Sequence, residues 1–226
     1  MRDLTDATGG PATIHPFPVS DALALGPGLV LQGVRKHFAR NEEIFGEGEP
    51  SEYVYRVVSG AVRTVRFSND GRRQILAFHL PGDIFGLEQT QQHTLSAEAV
   101  SDAEVSLIRR SLIENAAAQD VSAARALLSL VARDLANAQH HALVLGRKGA
   151  GERVAAFLLQ LADRGASHRE IDLPMSRADI ADYLALTIET VSRAFTQMER
   201  DHAIALPSSR HVVVRDRNAL ELLEAA

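Results

Sequence analysis

The chain has 226 residues with 24 Lys and Arg against 29 Asp and Glu, a net charge of −5, and 46% hydrophobic residues. That is the balance of a globular protein with a sizeable core, and the length suits two modest domains. With no cysteine, disulfides, thiolate nucleophiles, cysteine-ligated zinc and cysteine-held iron–sulfur clusters are excluded. No apolar run approaches the ~18 residues of a membrane span, and Met1-Arg-Asp-Leu-Thr-Asp does not lead into an apolar signal core, so a cytoplasmic protein with no membrane partner is expected.

Charge is unevenly spread: residues 1–146 carry 13 basic and 17 acidic side chains, residues 147–217 carry 11 and 10, and the last nine add only Glu221 and Glu224. Residues 1–20 mix Gly, Pro, Thr and Asp without a period and read as a mobile tail. From about Val34 to Leu107 short β-rich runs follow one another: Tyr53-Val-Tyr-Arg-Val-Val, Ala61-Val-Arg-Thr-Val-Arg-Phe, Gln74-Ile-Leu-Ala-Phe-His-Leu and Val105-Ser-Leu-Ile. Gly48, Gly60, Gly71 and Pro81-Gly82 punctuate them. The spacing predicts a compact β sandwich or barrel over 21–120, with a hairpin at Ser68-Asn-Asp-Gly71, whose residues tolerate positive φ.

After Ile108 the period becomes helical. Ala124, Leu128, Val131, Leu135, Ala138, Ala142 and Leu145 recur at alternating steps of four and three, the a/d stripe of a coiled coil. Such a stripe packs either on its own domain or on the same helix of a second subunit. Its place between two domains favours a dimerisation helix over 121–146, with Leu128, Val131, Leu135, Ala138, Ala142 and Leu145 at the interface. The break Gly146-Arg-Lys-Gly-Ala-Gly151 then marks the start of a second domain, 147–226, whose first amphipathic helix begins at Glu152 and closes at Gly165.

Ser176-Arg-Ala-Asp179 is a capping box that starts a helix through Ile180, Ala181, Tyr183 and Leu184. A turn at Ala185-Leu186 follows, and Thr187 caps a second helix from Ile188 to about Arg200. This is a helix-turn-helix, whose second helix fits the DNA major groove. On that helix Glu189, Ser192, Arg193 and Gln197 share one face, while Val191, Ala194, Phe195 and Met198 turn toward the core. An Arg grips guanine O6 and N7, a Glu accepts from cytosine N4, and a Ser serves either edge. Alone, the Glu-to-Arg pair is an ordinary solvated helix pair.

The context is added by Ala203-Ile-Ala-Leu, the turn Pro207-Ser-Ser and Arg210-His-Val-Val-Val-Arg215, a hairpin that makes the motif a winged helix-turn-helix. Glu189, Ser192 and Arg193 are the candidate base readers. Ser176, Arg177, Thr187, Thr190, Gln197, Arg210 and His211 are the candidate contacts to the DNA backbone, which position without reading sequence. Arg215 lies beside them in the wing. The fold class is α+β: an N-terminal β sandwich or barrel, a long dimerisation helix, and a C-terminal winged helix-turn-helix.

From about Ala39 onward the chain resembles the CRP/FNR transcription regulators, most closely their FixK-like branch. In the first domain the resemblance lies in Ile44-Phe-Gly-Glu-Gly48, Tyr55-Arg-Val-Val-Ser-Gly-Ala-Val62 and Phe78-His-Leu-Pro-Gly-Asp-Ile-Phe-Gly-Leu-Glu88. In the second it lies in the run from Leu173 to Arg193. The resemblance implies that the first domain is a double-stranded β-helix of jelly-roll type, a cyclic-nucleotide-binding-like sensor domain. It further implies recognition of TTGAT-type inverted repeats through Glu189, Ser192 and Arg193, RNA polymerase as a partner, and activation of genes of low-oxygen respiration, denitrification or nitrogen fixation. A two-fold dimer on a palindromic double-stranded DNA operator follows from the seam.

Cyclic-nucleotide binders of this family hold the phosphate with an Arg and the ribose with a Glu. Leu95 stands where the Arg is expected and Glu88 is displaced by one place, and no Lys or Arg falls between Arg73 and Arg109. No high-affinity cyclic nucleotide binding is therefore expected, and no cofactor. Haem stays open as a ligand, through His37, His79, His93, His140 or His141, and the alternative is a regulator gated by haem or an unknown small molecule in the β-roll. Enzymatic activity is not expected, since no metalloprotease, phosphate-loop, dinucleotide or nucleophile-elbow motif occurs.

Overall fold

The computed structural model describes residues 21–225 apart from 27, 69, 70, 89, 148 and 166; the expected tail over 1–20 and the Asn69-Asp70 turn tip lie outside them. Ten strands build the first unit: β1 (Ala22–Ala24), β2 (Val30–Gln32), β3 (Val34–Phe38), β4 (Glu43–Phe45), β5 (Tyr53–Ser59), β6 (Val62–Phe67), β7 (Arg73–His79), β8 (Ile84–Phe85), β9 (Ser96–Ala99) and β10 (Ala103–Arg109). They form two antiparallel four-stranded sheets, ordered β3-β10-β5-β8 and β4-β9-β6-β7, beside the β1-β2 hairpin. Phe38, Phe45, Tyr55, Val57, Val62 and Val105 fill the space between the sheets. The four β-rich runs of the sequence are β5, β6, β7 and β10; β5, β6 and β10 contribute to that packing, while Ile75 and Phe78 of β7 belong to a second cluster. The six other strands are two to five residues long. In β3, Val-Arg-Lys-His-Phe, only Phe38 is buried, so an edge strand left no alternating pattern to read.

β5 and β6 are buried on both faces over most of their length, and the turn between them depends on Gly60. Its φ is +76°, and a Cβ there would lie 2.2 Å from the Asp102 carbonyl oxygen, so only glycine fits. Where β6 meets β7, Gly71 takes φ +79° and donates to the Ser68 carbonyl at 2.8 Å.

The helical period resolves into α1 (Arg110–Gln119) and α2 (Val121–Arg147). Asp120 breaks them with an extended backbone, and its carboxylate accepts from the Ser122 N–H and hydroxyl, both at 2.7 Å. Ala123 is buried in a small cluster with Leu23, Leu25, Val54, Ile108 and Ile113, which fastens the start of α2 to the β-roll. The second unit holds α3 (Ala150–Arg164), β11 (Glu170–Asp172), α4 (Arg177–Leu184), α5 (Ile188–Arg200), β12 (Ile204–Ser208), β13 (His211–Val214) and α6 (Arg217–Ala225). β11, too short to be legible, extends the expected hairpin into the sheet β11-β13-β12. The apolar cluster of this unit, centred on Leu158, Ile180 and Phe195, continues without a break into Val65, Ile75 and Phe78 of the β-roll. No helix among the described residues is long and apolar enough to cross a membrane.

Candidate nucleic-acid interface

Ser176 N-caps α4: its hydroxyl accepts from the Asp179 N–H at 3.1 Å, while the Asp179 carboxylate accepts from the Ser176 N–H at 2.9 Å. Ala185 then reverses the chain in a left-handed conformation, φ 51° and ψ 49°, and Thr187 caps α5 by accepting from the Thr190 N–H at 3.2 Å. Val191, Phe195 and Met198 are buried and Ala194 is half-buried. The opposite face is left in solvent, with Glu189, Ser192, Arg193 and Gln197 all exposed. The backbone at the helix start, the Thr187 hydroxyl and the Arg193 charge together hold the Glu189 carboxyl below its usual range, so it stays an acceptor.

The candidate backbone contacts differ in their freedom. Arg210 is exposed at the wing turn, while His211 Nδ1 is 2.8 Å from Asp172 Oδ1. Thr190 Oγ1 lies 3.0 Å from Thr187 Oγ1, and Gln197 donates to both Asp201 oxygens at 3.0 Å. The Arg177 guanidinium carbon lies over the Phe195 ring, 3.3 Å from its centroid. Burial pushes its guanidinium down to about 10, and its Nη1 is buried without a hydrogen-bond partner. The Ser176 hydroxyl donates to Asp179 Oδ2 at 2.7 Å, so its polar capacity is spent inside the capping box.

Sequence reasoning saw Asp179 as a cap and missed its second role. Its other oxygen, Oδ1, accepts from Arg63 Nη1 at 3.0 Å and Arg73 Nη2 at 2.8 Å, both on the β-roll. Arg73 also grips Asp182 Oδ2, through Nη2 at 2.7 Å and Nε at 2.9 Å, and the Gln74 amide donates to the Asp182 carbonyl at 2.7 Å. The Arg63 and Asp179 side chains are each 6% exposed, and Arg63 is completed by Glu98 at 2.6 Å. Burial opposes the Asp179 charge, but the Ser176 donors and the two guanidiniums outweigh it and hold its carboxyl below the usual 3.8. Removing one partner of such a buried set leaves an uncompensated charge, costing about 3–5 kcal/mol. Arginines in a β-strand gave no signal of a partner more than 100 residues away.

Along α2, Leu128 is 68% and Leu135 57% exposed. Ala138 and Ala142 are exposed, and Val131 and Leu145 are half-buried. The seven-residue stripe thus stands largely free of its own chain.

Between α2, α3 and the β7–β8 turn lies a cleft of about 820 Å³. The β-roll loop brings no cation to it, as its sequence implies, but the helices bring Arg133 and Arg164. Arg164 is tied to Asp83 and faces the Phe78 carbonyl. Glu88 is turned to His93 Nδ1 at 2.5 Å, and Leu95 offers only hydrocarbon to the cleft. Of the five histidines considered for haem, His93 stacks on Phe45 at 3.6 Å, His79 lies 3.3 Å from Thr64 Oγ1 and His141 stacks on Tyr183; Nε2 of His93 and of His141 is buried without a hydrogen-bond partner, and His37 and His140 are exposed. Among the described residues no group of three or more His, Asp or Glu is placed to hold a metal ion.

A capped helix-turn-helix followed by a β wing, joined through a long helix to a jelly-roll domain, defines a two-domain transcription regulator. Residues 35–120 match the family described as cyclic nucleotide-binding domain, and residues 152–223 the Crp-like helix-turn-helix domain. The nitrogen fixation regulation protein FixK of Azorhizobium caulinodans is 52% identical over 193 residues, 83% of this chain and 78% of that protein. The protein of the same name from Rhizobium meliloti is 40% identical over 218 residues, 96% and 97% of the two chains. The solved structure of FixK2 from Bradyrhizobium japonicum superposes with a TM-score of 0.84 at 50% identity, covering 87% of this chain and 99% of that one. The chain belongs to the CRP/FNR family of transcription regulators, on its FixK branch.

Proposed function

We propose that the protein is a sequence-specific activator that binds TTGAT-type palindromes as a homodimer, without cyclic nucleotide or iron–sulfur cluster. The observation that carries the reading is the recognition helix: Glu189, Ser192 and Arg193 stand exposed on one face of a capped helix whose other face is core. Arg193 supplies a bidentate grip on guanine, Glu189 an acceptor for the cytosine amine, and Ser192 a short polar contact between them. Arg210 and His211 in the wing, with Thr187, Thr190 and Arg177 around the helix starts and Gln197 further along α5, are the backbone-contact set, of which Arg210 is the least encumbered and from which the Ser176 hydroxyl is withdrawn by its capping box. Leu128, Leu135 and their neighbours on α2 supply the dimer seam, which sets two recognition helices about 34–36 Å apart on the DNA. The relatives named as nitrogen fixation regulation proteins support nitrogen-fixation genes as targets; low-oxygen and denitrification genes, and RNA polymerase as the partner, rest on the resemblance of the sequence to the family.

The test is binding of purified, ligand-free protein to a TTGAT palindrome and to a scrambled duplex at two salt concentrations, since non-specific affinity falls steeply with salt. Tight binding to the palindrome alone is expected. Equal, weak binding to both duplexes overturns the ligand-free reading. The roughly 820 Å³ cleft beside α2 favours the second reading, a regulator gated by a small molecule, and a Soret band in the purified protein would identify that molecule as haem.

A further inference from the structure

We propose that Arg73 is a positioning residue for DNA recognition: its tie to Asp179 and Asp182, beside the Arg63–Asp179 pair, sets the angle of the recognition helix relative to α2 with no effector bound. The inference rests on the reading of the chain as a palindrome-binding dimer, and deepens it.

The backbone alone does not fix that angle. Gly149, between α2 and α3, N-caps α3, and Gly146 and Gly151 fall in the last turn of α2 and the first turn of α3, where glycine constrains the backbone least. What orients the second unit is therefore side-chain chemistry, and it converges on α4. On one side of that helix Asp179 and Asp182 receive Arg63, Arg73 and Gln74. Next to them Tyr183 packs on Phe78 of the β-roll at 5.2 Å and on His141 of α2 at 4.0 Å. These contacts leave Glu189, Ser192 and Arg193 exposed, so the clasp and the reading face do not compete. A dimer must present both reading faces to successive major grooves on one side of the DNA, so the angle matters for a palindrome and not for one half-site.

Arg73 is the element to vary. Its side chain is 24% exposed, whereas Asp179 also closes the capping box and Arg63 is buried on Glu98. Full-length Arg73→Gln and Arg73→Lys are compared with wild type in two measurements: hydrogen exchange without DNA, and affinity for the palindrome against a single half-site. The glutamine variant is expected to exchange faster in β7 and α4 but not in β12 and β13. It loses about tenfold in palindrome affinity, an ordinary inter-site coupling, with half-site affinity unchanged, and lysine recovers most of the loss. Asp182→Asn, which removes the tie from the other side, behaves as Arg73→Gln. Unchanged exchange, or faster exchange with an unchanged ratio of palindrome to half-site affinity, overturns the positioning role alone. A wild-type protein that does not prefer the palindrome to a scrambled duplex overturns the functional reading, and the role of the clasp with it.

Discussion

Tyr183 of α4 lies flat on His141 of α2, ring centroids 4.0 Å apart and 12° from parallel, so the first helix of the DNA-binding motif rests directly on the long helix. Phe157 and Phe78 complete the cluster around Tyr183 at 5.7 and 5.2 Å. One aromatic side chain thus touches the long helix, the second unit and the β-roll together, and burial pushes its phenol up to about 12.

The stack makes His141 a point of acid sensitivity. Burial lowers its pKa below 6.5, the neighbouring His140 adds to this, and the Tyr183 backbone opposes it. The folded state then binds this proton less readily than the unfolded chain, so the contribution is present above 6.5 and lost as pH falls below it. His141→Phe keeps a ring on Tyr183 and removes the titration. Denaturant midpoints at pH 7.5 and 5.5 are expected to fall less for this variant than for wild type.

His79 works in the same direction and more strongly. It is buried beside Phe85 at 4.8 Å, and burial pushes it down to about 4, with Asp83 opposing and Arg164 assisting. The difference from 6.5 corresponds to about 3 kcal/mol of stability, lost progressively between pH 6.5 and 4. His79→Gln removes that pH-dependent part. Urea unfolding across this window reads it, and equal slopes for variant and wild type contradict the assignment.

The second unit was the more legible in sequence, because its signals are local. The Ser176–Asp179 box, the turn at Ala185 and the Thr187 cap each act over three or four residues, and the helix limits follow from them. In the β-roll, buried strands such as β5 and β6 announced themselves by composition, while β3 and β8 exist through pairing with β10 and β5, which no local pattern encodes. Charge reading failed over distance. The absence of cations between Arg73 and Arg109 correctly describes the loop, yet α2 and α3 carry Arg133 and Arg164 to the cleft wall. Likewise nothing near Asp179 in sequence announces Arg63 or Arg73.

A charge placed at Leu135 tests the seam. At 57% exposure its side chain contributes little to the fold of one chain, so Leu135→Glu is expected to leave the melting of the winged domain nearly unchanged. Buried against a second copy, the same carboxylate has no partner and its desolvation is prohibitive. Sedimentation should report a monomer, and palindrome affinity should collapse to that of a half-site. A monomeric variant that holds the palindrome as tightly as wild type refutes the seam.

Arg193 and Arg210 separate reading from positioning. Arg193 projects from the exposed face of α5, where a guanidinium reaches guanine O6 and N7 together, whereas Arg210 sits at the tip of the wing. Arg193→Ala is expected to cost about 1–3 kcal/mol on the TTGAT palindrome and to relax discrimination at the G·C pair alone. Arg210→Ala should weaken all duplexes alike and lower the slope of log affinity against log salt by about one counterion per subunit. The experiment is a salt series on the palindrome and on a duplex altered only at that base pair. If Arg210→Ala changes base preference while Arg193→Ala weakens every sequence equally, the docking is reversed, and the wing rather than α5 reads the bases.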